Sequence, residues 1–348
     1  MGMLVPVVSS SEQPVVSVIV PARNEEACLG ACLQSLVEQT GVTFEVIVVD
    51  DGSTDQTRSI AESFSGVAVI EPGPLPAGWT GKNNAVTAGA KAARGEWLLF
   101  TDADTVHKPG SMARAIDEAS KHQADLLSYS PQQEVHGFWE KAVMPVIFAE
   151  LARKYPPAKI SDFSTNMAAA NGQYLLIRRA SYEAIGGHAA VATSLLDDVA
   201  LARLVRDRGC KIRFRYGSDA VRTRMYRSFQ QLREGWTKNL SLLFPSPVWL
   251  ATLRTLEFVA VIVCSMLGIV ALVAHEWRQA GIFFVPLFLT LRRIAKAHFS
   301  WSSNLLGIVG LPVFSYFLLR SKLFYKRGKV SWKGRTYSGD RASILPAS

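Results

Sequence analysis

The apolar residues of this chain are placed unevenly, and one run of them limits what it can fold into. Residues 251–274 read ATLRTLEFVAVIVCSMLGIVALVA, with no charge between Glu257 and the end of the run. A helix of about 20 such residues reaches across a bilayer, which sets Arg254 and Glu257 at the interface. A shorter run, GIFFVPLFLTL at 281–291, stops at Arg292, Arg293 and Lys296, and a third, 299–319, contains Pro312. Arg320, Lys322, Lys326 and Arg327 open a basic tail, and Arg222, Arg224, Arg227, Arg233 and Lys238 precede the first run. Basic flanks favour the cytoplasmic side, so an even number of full spans is expected, with 281–291 in the plane or re-entrant.

Composition excludes other classes. Hydrophobic residues are 49% and charged residues 19%, unlike a disordered chain, and four cysteines are too few for a disulfide scaffold. The net charge of +9 raises nucleic acid as a partner. The cations flank apolar runs, however, and no zinc-finger spacing, RNP pattern or basic heptad accompanies them. Anionic lipid headgroups are therefore the expected partner, and no nucleic acid. The start, MGMLVPVVSSSEQP, lacks a basic region followed by a long apolar run, so it is not read as a secretory signal. Cys28 and Cys32 are four apart on a predicted helix and read as small core residues rather than a metal pair.

The first 240 residues alternate strand and helix. Strands are predicted over 15–22, 44–51, 67–70, 96–101 and 124–130, each a short β-branched or apolar run. Asn24 is expected to cap a first helix with Glu25 and Glu26 in its first turn, and Ser53 to Gln56 to form a capping box for a second. A helix is predicted over 82–93, and Pro109 starts another. Such alternation implies a mostly parallel sheet with helices on both faces, and ligands bind beyond its carboxyl edge. Asp50 and Asp51 end the second strand there; Asp102 and Asp104 follow the fourth. Four carboxylates at one edge call for a cation among them, and a hard divalent ion bridging carboxylate and phosphate fits. Neither G-x-x-x-x-G-K-[ST] nor G-x-G-x-x-G occurs, which argues against P-loop and dinucleotide enzymes.

VSVIVPARNEE, VIVVDDGSTDQT, WLLFTDADT and LLDDVALARLV resemble the family 2 glycosyltransferases of GT-A fold over roughly 15–240. GWTGKNNAVTAGA, NGQYLLIRRASYEAIGGH and SWKGRTY are similar to the membrane-bound branch with ceramide glucosyltransferases and hopanoid- and carotenoid-associated enzymes. The resemblance implies an α/β GT-A fold, Rossmann-like with a mostly parallel sheet and flanking helices, plus C-terminal transmembrane helices. It also implies the site. Pro21, Arg23, Asn24 and Glu25 match the loop that holds the nucleoside, and Asp51 the acid that reads uracil. Lys82 matches a basic residue near base or phosphate. Asp102 and Asp104 match the DxD pair for Mg²⁺ or Mn²⁺, Asp104 ligating directly and Asp102 contacting ribose or reaching the metal through water. Asp198 matches the general base; Asp197 stands where the family has Glu, which leaves open which acid faces the acceptor.

On this reading residues 1–14 are a disordered N-terminus and 15–240 a cytoplasmic catalytic domain. Residues 241–322 are a membrane domain and 323–348 a basic cytoplasmic tail. The implied activity is inverting, metal-dependent transfer from a UDP-sugar, of glucose or N-acetylglucosamine type, to a lipid acceptor at the inner face of the cell membrane. His188, Arg233 and Trp236 are placed on the acceptor side. The processive synthases carry Gln-x-x-Arg-Trp, and here two residues separate Arg233 from Trp236. A polysaccharide synthase and a catalytically silent membrane scaffold are the alternatives. The apolar, aromatic segment 138–148 reads either as core or as an interfacial helix.

Overall fold

The computed structural model describes residues 13–328, 330–332 and 335–337. The N-terminal stretch expected to be disordered lies almost wholly outside the described residues, as does much of the basic tail. The described chain forms two compact units, one of 13–134 with 157–225, the other of 135–156 with 226 onwards.

The first unit begins β1 (Val16–Ala22), α1 (Leu29–Val37), β2 (Phe44–Asp50), α2 (Thr57–Glu62), β3 (Val67–Ile70), α3 (Gly81–Ala92) and β4 (Trp97–Phe100). It continues β5 (Thr105–His107), α4 (Ser111–Lys121), β6 (Leu126–Ser130) and β7 (Gln132–Gln133). Helix α5 (Phe138–Lys154) belongs to the second unit. Then follow α6 (Pro157–Ser161), β8 (Leu175–Arg178), α7 (Arg179–Ala184), α8 (Asp197–Asp207), β9 (Ile212–Tyr216) and β10 (Val221–Thr223).

Seven strands form one sheet in the order β3-β2-β1-β4-β8-β6-β9. The pairs β1–β2, β1–β4, β2–β3 and β6–β9 are parallel, and β8 runs against both neighbours. β1 sits near the middle and is buried except for half-buried Pro21, as a strand covered on both faces must be. The antiparallel β8 has a consequence for the site. Leu175 pairs with Phe100, so the start of β8 meets the end of β4, and the turn at Gly172 arrives beside Asp102. A small sheet, β5-β10-β7, places Thr223, whose hydroxyl donates to the Asp104 carbonyl at 3.1 Å.

Two expected caps are absent. Helix α1 starts at Leu29 after Cys28, with no acid in its first turn. Asn24 instead adopts φ +53 and accepts the Thr54 N–H at 2.9 Å. The second helix starts at Thr57 and has no side-chain cap bond. Ser53 accepts the Asn24 N–H at 3.1 Å, and Asp55 accepts the Glu26 N–H at 3.2 Å. Short polar side chains bond whichever backbone group is nearest, and here that group lies on the neighbouring loop. Cys32 is buried in the core, while the half-buried Cys28 turns its thiol to Glu25.

The second unit holds α5, α9 (Phe229–Leu243), α10 (Pro247–Val273), α11 (Trp277–Phe283), α12 (Val285–Ile294) and α13 (Trp301–Lys326). A strand pair, β11 (Val330–Trp332) with β12 (Arg335–Tyr337), closes it. Helices α10 and α13 are long and apolar enough to cross a bilayer. The 281–291 run is split between α11 and α12, neither of them that long. Segment 138–148 lies in α5, where Ala142 to Ile147 are buried. A Cβ on Gly310 of α13 would come 1.9 Å from the Ala142 carbonyl, so the two helices touch backbone to backbone. Apolar packing of this kind draws α5 and α9 into the second unit, and the expected 15–240 domain therefore parts earlier, near 225.

Charge is buried in this unit with its counter-charge. Glu150 is fully buried and receives Arg293 Nη1 at 2.6 Å and Arg254 Nε at 3.1 Å. Glu257 pairs with Arg254 and takes Arg293 Nη2 at 3.0 Å and the Thr290 hydroxyl at 2.7 Å. Glu150→Ala leaves two buried guanidinium groups with one carboxylate between them. A loss of about 3–5 kcal/mol is expected, read as a lower melting temperature in detergent, with Glu150→Gln losing less.

Candidate active site

The carboxyl ends of β1, β2 and β4 meet at one edge, and the loops after β1 and β2 are sewn together there. Arg23 Nη1 donates to the Asp51 carbonyl at 2.6 Å and lies 4.0 Å from its carboxylate. The Glu25 N–H reaches Thr57 Oγ1 at 2.7 Å. Asp50 is buried and spent locally, accepting the Ser53 N–H at 3.1 Å. Arg23, Asn24, Glu25 and Asp51 thus form one rigid rim.

Next to this rim the cavity lined by Pro21, Lys82, Asp102, His188, Asp197 and Asp198 gathers residues far apart in sequence. Lys82 stands in the first turn of α3, whose cap Thr80 accepts the Asn83 N–H at 3.1 Å. The Asn83 amide nitrogen lies 2.9, 3.0 and 3.1 Å from the carbonyls of Val191, Ala192 and Ser194. One buried side chain thereby ties the helix bearing Lys82 to the segment bearing His188 and leading to α8. Lys82 Nζ is 2.9 Å from Asp102 Oδ1 and 3.7 Å from Asp197 Oδ2. Asp198 accepts the Gly172 N–H at 2.9 Å on Oδ2 and the Val199 N–H at 2.8 Å on Oδ1. Both acids lie in the first turn of α8, where the helix dipole favours negative charge.

The electrostatics follow from burial and neighbours. Burial, then the charge of Asp197, pushes the Asp198 carboxyl up to about 6, against the opposing pull of Lys82 and two N–H donors. Burial works against the Lys82 charge, but Asp102, Asp197 and Asp198 outweigh it and hold the ammonium well above the usual lysine range. Burial lowers the His188 imidazole to about 4, although Asp197 acts the other way. At neutral pH the cavity therefore holds a permanent cation, a neutral imidazole and a carboxylate near its titration point.

The structure joins Pro21, Lys82, Asp102, Asp197, Asp198 and His188, while Asp51 sits with Arg23 on the rim and Asp104 is held through Thr223. Of the four acids expected to converge, Asp102 meets Lys82, and Asp50 serves its own loop. Trp236 is buried in the second unit, its ring 6.1 Å from both Phe148 and Tyr226. It packs there rather than lining an open surface, and Arg233 lies on the same helix. Gly172 and Tyr182 were given no role from sequence, although both lie in the segment NGQYLLIRRASYEAIGGH that carries part of the resemblance.

No group of three or more His, Cys, Asp or Glu side chains is arranged for a metal among the described residues. Asp102 and Asp104 are nevertheless hard oxygen donors on one short loop. One or two carboxylates suffice for Mg²⁺ or Mn²⁺ when phosphate oxygens complete the shell, so this donor set fits such an ion bound together with a diphosphate. For stability, Asn83→Asp points a carboxylate at three carbonyls and removes their donor. A loss of about 2–3 kcal/mol is expected, measured by thermal unfolding, with Asn83→Ala losing less.

Comparison with known proteins points the same way. The model of the family described as "Glycosyl transferase family 2" matches residues 17–186. The 4,4'-diaponeurosporenoate glycosyltransferase of Staphylococcus aureus strain MRSA252 is 28% identical over 341 residues, 92% of this chain and 88% of the relative. Its counterpart in strain USA300 matches at the same identity and coverage. Among solved structures, the mannosyltransferase PcManGT of Pyrobaculum calidifontis, in complex with GDP-Man and Mn²⁺, is 17% identical with a TM-score of 0.53. The match covers 90% of this chain and 87% of that one, and it bears on the fold: a GT-A architecture.

Proposed function

Because this chain belongs to family 2 of the glycosyltransferases, we propose that it moves a sugar, of glucose or N-acetylglucosamine type, from a UDP-sugar to a lipid acceptor, with inversion, at the cytoplasmic face of a membrane. The observation that carries this reading is the Asp198 carboxyl, buried in the cavity with Lys82 and pushed up to about 6. A carboxylate whose pKa lies near the working pH is suited to take a proton in the transition state.

In this reading Asp198 accepts the proton of an acceptor hydroxyl as its oxygen bonds to the anomeric carbon. The bond from that carbon to UDP breaks, and its electron pair leaves with the diphosphate. Pro21, Arg23, Asn24 and Glu25 hold the nucleoside, and Asp51 reads the uracil edge. Lys82, 2.9 Å from Asp102 and 3.7 Å from Asp197, balances their charge. Asp104, with Asp102, would hold Mg²⁺ or Mn²⁺, which would supply positive charge against that developing on the diphosphate.

The apolar end of the chain supports a membrane-bound lipid acceptor. Only 17% of the most apolar stretch of α10 is buried, and Val259, Val263, Met266, Val270 and Val273 are exposed. A core helix of a soluble protein would bury these side chains. Helices α10 and α13 as full spans, with α11 and α12 in the plane, keep both basic flanks on the inner side. The relative's name, a diaponeurosporenoate glycosyltransferase, supports a long apolar acceptor.

Purified protein incubated with labelled UDP-glucose or UDP-N-acetylglucosamine and a total lipid extract is expected to yield a labelled lipid; labelled polymer instead would favour a polysaccharide synthase, and neither product would sink the proposal. Asp198→Asn should abolish turnover and leave UDP binding by calorimetry intact, and Asp197→Asn tests which acid is the base. The base works only when ionised, so the rate should rise with pH through about 6 and drop about tenfold per unit below it. Treatment with EDTA should stop transfer and Mn²⁺ restore it; a rate indifferent to chelation would remove the ion from the mechanism.

A further inference from the structure

Tyr182 has no part in the steps above, yet it touches a residue that lines the cavity. It lies on α7 with its side chain buried. Its hydroxyl is 3.0 Å from the His188 backbone nitrogen and 3.0 Å from His188 Nδ1. The backbone N–H can only donate, so the phenol oxygen accepts there. Among the described residues the phenolic hydrogen has no other acceptor than Nδ1, so Nδ1 takes it. A neutral imidazole that accepts at Nδ1 carries its own hydrogen on Nε2. Burial lowers the His188 pKa to about 4, so the ring is neutral near pH 7.

The ring has little freedom to turn. Phe100 meets it edge-on, with centroids 4.6 Å apart. Gly187 has φ +56, and a Cβ there would come 2.6 Å from the Tyr182 ring. Only glycine lets the turn approach the phenol this closely. Nε2 lies 3.9 Å from Asp197 Oδ2. The two atoms are too far apart to bond each other, and near enough to bond the same third oxygen. A neutral donor beside a carboxylate matches a group that both accepts and donates a hydrogen bond. A hydroxyl does both; a carboxylate or phosphate would meet Asp197 with like charge.

We propose that Tyr182 is a positioning residue: it holds His188 as the Nε2–H tautomer, so that His188 and Asp197 together grip one hydroxyl group of the sugar or of the acceptor. The grip rests on the sugar-transfer reading above; the tautomer does not.

Two measurements on the full-length protein in detergent separate the two. In ¹⁵N-histidine NMR, the signal absent from His188→Gln identifies His188. Wild type should show it protonated on Nε2, and Tyr182→Phe should shift it to a mixture of tautomers. In UDP release from UDP-glucose with the lipid extract, Tyr182→Phe should lower kcat about tenfold, as for one lost hydrogen bond, with the KM for UDP-glucose moving less. His188→Gln, which keeps an N–H, should retain more activity than His188→Ala. A His188 protonated on Nδ1 in the wild type would overturn the proposal. So would a Tyr182→Phe variant with unchanged tautomer and rate. The expected NMR result with no sugar transfer by wild type would leave the tautomer assignment standing and remove the function from under it.

Discussion

The site depends on one ion: the Lys82 ammonium among Asp102, Asp197 and Asp198. These acids come from the loop after β4 and the start of α8, and they line one cavity. Without a cation between them they would not all ionise. The lysine that serves them stands in the first turn of α3, where the helix dipole opposes a positive charge. That cost is offset by the three carboxylates, and the offset works only if α3 and α8 are held together. Asn83 does this through three carbonyls. Gly172 completes the fit, since a Cβ there would come 3.1 Å from Lys82 Nζ.

The balance around Lys82 also sets the chemistry. Asp102 and Asp197 lie closest to it and share its charge directly. Asp198 feels it at longer range, while burial and Asp197 act to protonate it. One cation thus lies close to two of three like acids, while burial pushes up the carboxyl of the third. Adjacent residues on one helix turn acquire different roles because each meets different neighbours, not because their side chains differ.

The second unit solves a related problem with a different outcome. Glu150 and Glu257 face Arg254 and Arg293 in an apolar surrounding, and the more exposed Arg153 also reaches Glu150 at 3.1 Å. The cluster locks α5, α10 and α12 in one arrangement. Buried charge thus fastens helices in one unit and gathers three acids around one lysine in the other. The difference is arithmetic: two acids meet three guanidinium groups in one, and three acids share one ammonium in the other.

Patterns carried by neighbouring residues were legible in the sequence. The β-branched runs placed β1 to β4 and β6 to within two residues, because a strand buried on both faces needs them whatever its partners. The length of α10 and the acids after β2 and β4 were equally plain. The caps at Asn24 and Ser53 were misjudged because the groups they bond lie some 30 residues away, on the facing loop. Only the tertiary structure decided that β8 runs antiparallel and delivers Gly172 to Asp198, that α5 belongs with α13, that Lys82 is the cation among the acids, and that Tyr182 orients His188. Each of these is a contact through space between segments whose own composition is unremarkable. A linear pattern records what a residue is; the energy of a buried charge or hydrogen bond is set by what stands opposite it.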